Sequence, residues 1–336
     1  MLKQRLETCA PGAPLDLGNE QLGAVHLRGL HFSEPVTIAG GRFDDLDLTD
    51  CSGLTLRGTQ LFCPNLPLVY HRHRITRCES IRFEDCEIFG EARVAVEENH
   101  AIAMLVRETA DFAATGCRFH HLKHALAFMG VTRFEASRNI FHDIRVDGIR
   151  GGGVDGLTIA DNHLYDFYPV DTGGAGDHPD AIQVWAHAEQ ENRDIAITGN
   201  RFERREGRPV QGVFLRGNYP GSAGFDRVRI EGNTVIGGLY NAILLSNARE
   251  ARVCDNEIRW LDDRHSTWLR IEGVEGEICG NTAPMFHGAV PPDQNAVDQS
   301  IWAPDKAAPT ERQQAEPTEV FVEPGASVLV TAKRAA

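Results

Sequence analysis

The sequence predicts an all-β chain wound as a single-stranded parallel β-helix, a solenoid whose coils stack along one axis. Three observations predict it. First, a short apolar pair followed by a turn ending in Asn recurs: Phe134–Asn139, Leu157–Asn162, Ile195–Asn200, Val228–Asn233, Ala251–Asn256 and Gly276–Asn281. These asparagines are separated by 23, 38, 33, 23 and 25 residues. Ile81–Cys86 and Phe112–Cys117 fit the same frame with cysteine in the asparagine place. Second, each unit carries another segment with apolar residues at alternate positions, the period of a strand with one buried face. Third, no segment of this region sustains a 3.6-residue apolar period over three turns, which disfavours helical repeats.

The Gly or Asp before five of the six asparagines, all but Asn139, suits a turn residue at positive φ. Stacked Asn side chains can then hydrogen-bond from coil to coil. This accounts for 33 glycines dispersed through 336 residues, and it replaces the two domains that length alone would suggest with one narrow core. In chain order, residues 1–19 are expected to form an N-terminal cap or attachment segment, with a short helix within 1–12. Residues 20–285 form the β-helix, its first coils (20–62) more irregular. Residues 286–318, rich in Pro, Ala, Gln and Asp, read as a linker, and 319–336 as a C-terminal β hairpin around Pro324-Gly325.

Composition excludes several classes. A net charge of −14 argues against a nucleic-acid binder. No run of eighteen apolar residues exists, so no transmembrane helix or membrane insertion is expected, and the N-terminus lacks the apolar core of a secretory signal. The eight cysteines form no C-x-x-C pair. Cys254 and Cys279 occupy identical, outward places in adjacent coils, about 5 Å apart, where a disulfide or a free pair is equally compatible.

The Asn turn between two strands resembles the asparagine ladder of right-handed parallel β-helix proteins, the pectate-lyase-like superfold. The run Gly176-Asp-His-Pro-Asp-Ala-Ile-Gln183, with Arg193–Asn200 and Gln211–Phe214 after it, is similar to β-helix proteins encoded by phages and prophages of alphaproteobacteria. The resemblance covers residues 80–282 and implies a single-stranded right-handed parallel β-helix. It also implies association with a virion, other tail proteins as partners, and a homotrimer. Delivery by host lysis, or export by a non-classical route, would then bring the chain outside the cell without a signal. The superfold hosts lyases, hydrolases, epimerases and adhesins alike.

Aligning the alternating segments gives columns of one residue per coil, about 4.8 Å apart. The first holds His100, His124, Asp147, Asp180, Gln211, Asn241 and Thr267; the second holds Ala101, Ala125, Gly148, Ala181, Gly212, Ala242 and Trp268. Beyond this small-residue trough stand Arg150, Gln183 and Phe214, then Trp185 and Arg216. Aromatic faces pack on sugar rings and Arg forks bind carboxylates. Insertions carrying Tyr168, Arg205, Arg208 and Tyr219 flank the same two coils, and solenoid insertions gather on the functional face. In pectate-lyase-like enzymes the site lies on this sheet, so the resemblance implies the same location. Gln183, Trp185, Phe214, Arg216, Tyr168, Tyr219, Arg205 and Arg208 are therefore candidate polysaccharide-binding residues.

Asp147 and Asp180 stack in adjacent coils and should repel unless a proton or cation intervenes. Two chemistries follow. In the first, Asp147, Asp177 and Asp180 hold Ca²⁺ as metal ligands, with His178 as the base that removes an α-proton from a uronate; the resemblance alternatively implies Arg150 in that role. Or the two carboxylates serve glycoside hydrolysis. Lys123 is the runner-up base, and His120, His121 and His124 a weaker metal set. The expected function is a phage tail depolymerase of lyase or hydrolase type acting on an acidic glycan. The alternatives are a non-catalytic adhesin or an intracellular scaffold.

Overall fold

The computed structural model describes residues 2–9, 12–66, 70–170, 176–188, 190–261 and 265–302. Every strand pairing between coils is parallel, as a solenoid of successive turns requires. Each coil presents three faces. The first contains Glu87–Phe89, His163–Phe167, Arg201–Glu203, Thr234–Ile236 and Glu257–Arg259. The second contains His73–Thr76, Ile102–Arg107, Asp180–Trp185, Gln211–Arg216 and Phe286–Gly288. The third contains Ser52–Arg57, Glu79–Glu84, Ala110–Thr115, Asn192–Thr198 and Phe225–Glu231. Arg118–Ser137 and Ile140–Ala160 run unbroken around all three faces, because Gly130 and Gly153 turn the corner at φ +62° and +69°.

Alternation turns one side chain of each pair inward. Phe83, Phe112 and Phe134 stack on one another from coil to coil, as do Phe119 and Phe141, whose rings lie 4.6 Å apart and nearly coplanar in tilt (6°). Ile149, Ile182, Val213 and Ile243 continue the core beneath the second face. The third face is covered outside by charge pairs such as Asp155–Arg193 and Asp194–Arg227.

The asparagines form the ladder that their spacing suggests. The side-chain amide of each of Asn139, Asn162, Asn200, Asn233, Asn256 and Asn281 donates to the Oδ1 of the next at 2.8–3.0 Å, ending on Asn295. Each also donates to a carbonyl of the preceding coil, so these buried amides satisfy backbone groups that the turn leaves open. The preceding residue adopts positive φ, +55° at Asp161 and +64° at Gly199. Towards the N-terminus the rungs are thiols and hydroxyls: Cys86 and Cys117 donate Sγ–H to Leu56 and Phe83 carbonyls, and Cys51 and Cys78 do the same one corner away.

Four details differ from the sequence reading. His124 pairs with Ile102, not with the column of His100, because the chain enters that coil two residues later. A register shift at Ala242 places Trp268 opposite Asn241 and Thr267 opposite Tyr240. Strand pairing begins at Leu15, after a helix Leu2–Glu7 that buries Leu2 and Leu6. The segment read as a linker from 286 instead continues the solenoid through Phe286–Gly288 and Ala296–Val297, which pair with the coil below. Residues 303–336, including the expected C-terminal hairpin, lie outside the described residues. Cys254 and Cys279 form a disulfide with Cα atoms 4.7 Å apart; they are register partners on the outward side of their strands, where Val253 and Ile278 beside them face the core.

Candidate functional site: a groove with a histidine–aspartate pair

The second face carries a groove on its outer side. Its outward column reads Asp47, Arg74, Leu105, Ala127, Arg150, Gln183, Phe214, Leu244, Arg270 and His287. The small residues Ala127 and, one place on, Gly152 keep it shallow. At Gly152 a Cβ would stand 2.5 Å from the Trp185 carbonyl oxygen, so only glycine lets these two coils close up there.

Two adjoining depressions share Arg150 and Gln183. One, of about 350 Å³, is lined by Lys123, His124, Asp147, Asp177 and His178. The other, of about 260 Å³, is lined by Trp185, His187, Phe214, Arg216 and Tyr219.

The sequence brings His178 and Asp180 together because Pro179 fixes the chain as it enters the strand Asp180–Trp185. His178 Nδ1 lies 2.9 Å from Asp180 Oδ2. The imidazole side chain is 62% exposed and the carboxylate is fully buried. Gln183 Nε2 donates to the same oxygen at 2.6 Å, and the Asp180 backbone N–H donates to Asp147 Oδ1 at 3.2 Å. Asp180 Oδ1 is buried without a hydrogen-bond partner. Burial pushes the Asp180 carboxyl up to about 7, against the opposing pull of His178, and the nearby Asp147 charge adds to it. The hydrogen bond to Asp180 raises the His178 imidazole above its ordinary value.

Asp147, buried in the neighbouring coil, is held by Arg150 Nη1 at 2.7 Å and His124 Nδ1 at 3.0 Å. Asp177 turns the other way. It takes a two-pronged bond from Arg145 (2.8 and 3.2 Å) and the Val170 N–H, which outweigh its burial and keep its carboxyl below the ordinary range. Asp147, Asp177 and Asp180 therefore do not fit a Ca²⁺ site. Each already answers to an arginine or histidine, and the carboxylates do not converge. Among the described residues, the one convergent set of three potential ligands is Cys254, Glu277 and Cys279, whose thiols are joined to each other.

The other expected ligand-binding residues divide. Gln183, Trp185, Phe214, Arg216 and Tyr219 meet in the second depression, where Arg150 lies 5.3 Å from the Trp185 ring and Arg216 4.7 Å from that of Tyr219. Arg216 hydrogen-bonds Asn218 and has no carboxylate partner among the described residues. Arg205 lies on the first face, over Tyr165 and against Glu203, because its insertion leaves from that face. Arg208 ties down the entering loop through the Pro169 carbonyl and Glu97. Tyr168 hydrogen-bonds the Ile144 carbonyl through its backbone and lines neither depression. His120 and His121 sit on the first face in ring contact with His142 and Tyr165, whereas His124 pairs with Asp147 on the groove side. Sequence reasoning missed Arg145 and His187. Nothing in their local pattern sets them apart, since coil stacking alone brings them to the groove.

The sequence of residues 74–258, more than half of the chain, matches the family described as right handed beta helix region. The chain belongs to that right-handed β-helix family. No curated protein matches it. Similar solved structures include PfbA, a surface adhesin of Streptococcus pneumoniae, at 9% identity and TM-score 0.46, covering 81% of this chain and 77% of that one. A PL6 alginate lyase in complex with a trisaccharide shares 12% identity at TM-score 0.45, over 88% and 85% of the two chains. The A-module of the Azotobacter vinelandii mannuronan C-5 epimerase AlgE6 shares 13% identity at TM-score 0.41, over 90% and 93%. No helix among the described residues is long and apolar enough to cross a membrane.

Proposed function

We propose that the groove binds an acidic polysaccharide and that His178 acts on it as general base in lyase-type cleavage. The observation that carries this reading is the exposed His178 imidazole braced by the buried Asp180 carboxylate, beside Arg150. A carboxylate that orients and charges a histidine from behind is the arrangement that proton abstraction needs. Arg150 and Arg216 would neutralise a uronate carboxylate, which acidifies the α-proton. His178 Nε2 then takes that proton, the C–H electrons form the new C=C bond, and the bond to the leaving sugar oxygen breaks. That oxygen takes its proton from water. Hydrolysis by Asp147 and Asp180 is disfavoured, since at 2% and 0% exposure neither reaches a sugar.

A second reading has its own support. Gln211 Nε2 stands 3.2 Å from His178 Nε2, so the unprotonated nitrogen is engaged until a substrate displaces that amide, and a groove whose ligands do not displace it binds without turnover. The finer reading places the protein on a phage tail as a homotrimer. It is supported by the likeness of residues 176–214 to phage-encoded β-helices, and sedimentation of the purified chain tests the trimer.

Incubation with a panel of uronate and neutral bacterial polysaccharides tests the function. An unsaturated, ultraviolet-absorbing product is expected with uronates. Retained binding without cleavage on every glycan would establish the adhesin reading instead.

A further inference from the structure

A line of side chains leads away from His178 across three coils. Gln211 Nε2 lies 3.2 Å from His178 Nε2, Asn241 Nδ2 lies 2.5 Å from Gln211 Oε1, and Trp268 Nε1 lies 3.0 Å from Asn241 Oδ1. The stacking that creates it is the register shift at Ala242, which sets Trp268 opposite Asn241.

We infer that Trp268, Asn241 and Gln211 are positioning residues that together hold the His178 proton on Nδ1 and keep Nε2 as an unprotonated base. This deepens the reading of His178 as general base and rests on it. The argument is one of direction. An indole N–H only donates, so Asn241 must present its oxygen to Trp268. Its NH₂ group then faces Gln211 and requires the Gln211 oxygen, which leaves the Gln211 NH₂ aimed at His178 Nε2. A nitrogen facing a donor must accept. The single proton of the neutral imidazole therefore sits on Nδ1, where Asp180 Oδ2 receives it.

The reverse arrangement fails at its far end. If His178 Nε2 carried the proton, Gln211 and Asn241 would both have to rotate, and the Asn241 NH₂ would meet the indole N–H head on. The same direction decides where the proton of the His178–Asp180 pair resides. A protonated Asp180 donating to Nδ1 would force the Nε2–H form, which the Gln211 NH₂ opposes. Gln183 already donates to Asp180 Oδ2, consistent with an ionised acceptor there. The charged and titratable groups around His178 are Asp180, Asp147, Asp177, Arg150, His124 and Lys123. Asp180 is the register partner of Gln211, but none of these groups hydrogen-bonds the Gln211, Asn241 or Trp268 side chain, so Trp268→Phe changes the line without changing a charge.

Nitrogen NMR of the full chain with labelled histidine reads the tautomer directly. The wild type is expected in the Nδ1–H form above its titration. Trp268→Phe keeps a ring but removes the donor, so a substantial Nε2–H fraction should appear and the His178 pKa should rise by about 0.7 unit, the equivalent of one ordinary hydrogen bond. Gln211→Glu presents only acceptors and should move His178 to Nε2–H or the charged form. A wild-type Nε2–H tautomer overturns the inference. So does a shift in Gln211→Glu alone, since the added charge explains that without the chain. Because the readout is not activity, an absence of cleavage would sink the lyase reading and leave the tautomer result standing.

Discussion

The His178 imidazole and the Asp180 carboxylate meet at 2.9 Å across the boundary between solvent and core, one ring largely in water and one acid entirely out of it. This asymmetry gives each partner a separate consequence. Removing the exposed ring deletes the base, so His178→Ala is expected to lower cleavage of a uronate polymer by about 10²–10⁴-fold with little change in binding. Asp180→Asn keeps the shape and removes the charge, and should cost less than removal of the ring. Initial rates at saturating polymer, with binding measured in parallel, check this. Unchanged rates in both variants would place the chemistry elsewhere.

The pair also sets a pH dependence of stability. The pair shares one proton, and the Gln211 amide places it on His178 and leaves Asp180 ionised. The hydrogen bond to that carboxylate raises His178, so its contribution to stability is complete below the ordinary histidine value of about 6.5 and lost as pH rises through the raised one. The melting temperature is expected to fall between about pH 6 and about pH 8, and to fall less in Asp180→Asn, which removes the charge that raises His178. An identical slope in the variant would refute the assignment.

Arg150 and Arg216 should separate stability from binding. Arg216 lacks a carboxylate partner, so Arg216→Ala should leave the melting temperature nearly unchanged while weakening an acidic glycan by about tenfold or more, as loss of a charge-assisted hydrogen bond does. Arg150→Ala strips a cation from the buried Asp147 and is expected to destabilise by about 3 kcal/mol. Calorimetry of both variants with an acidic and a neutral polymer distinguishes the effects. Equal losses on the two polymers would remove the case for charge recognition.

Reduction of Cys254–Cys279 should loosen the last coils. The bond closes a loop of 25 residues, for which the chain-entropy argument gives about 3 kcal/mol. Hydrogen exchange is expected to quicken in residues 255–302 and to stay unchanged around Asn139. Uniform loss of protection would contradict a local role.

An Asn in the middle of the ladder should matter more than its size suggests. Asn200→Ala leaves the two amide donors of Asn162, side chain and backbone, without their acceptor and removes the bonds to Ile159 and Asn233. Each buried orphan costs about 1–3 kcal/mol, so urea unfolding should show a total loss above 3 kcal/mol. A loss below 1 kcal/mol would mean that water reaches the corner.

The fold was legible because its determinants are local and repeated. The Asn139, Asn162 and Asn200 turns each carry their own positive-φ residue and their own rung. The alignment failed only where no local signal marks a change, at the late entry to Ile102 and at the extra residue beside Ala242. His178, Asp180, Asp147 and Arg150 could be grouped from spacing because one residue per coil fixes their neighbours. The partner of Asp177 could not be read, since Arg145 reaches it from a corner of the preceding coil. Arg205 misled for the complementary reason. A basic cluster in sequence says nothing about which face its loop leaves from, and Tyr165 with Glu203 claims it on another side.

The change of rung chemistry along the axis gives the solenoid a direction in which to come apart. Amides with two-sided hydrogen bonding link the coils from Asn139 to Asn295, and a covalent bond clamps Cys254 to Cys279. Before Asn139 the equivalent corners, at Cys86 and Cys117, rely on thiols, whose S–H groups are weak donors. Where each coil touches only its neighbours, stability adds coil by coil. Tension or heat should therefore peel the chain from its first residues inward and stall at the amide rungs. His178 and Asp180 sit beyond that stalling point, so the groove's central coils would stay wound while the leading ones are pulled open.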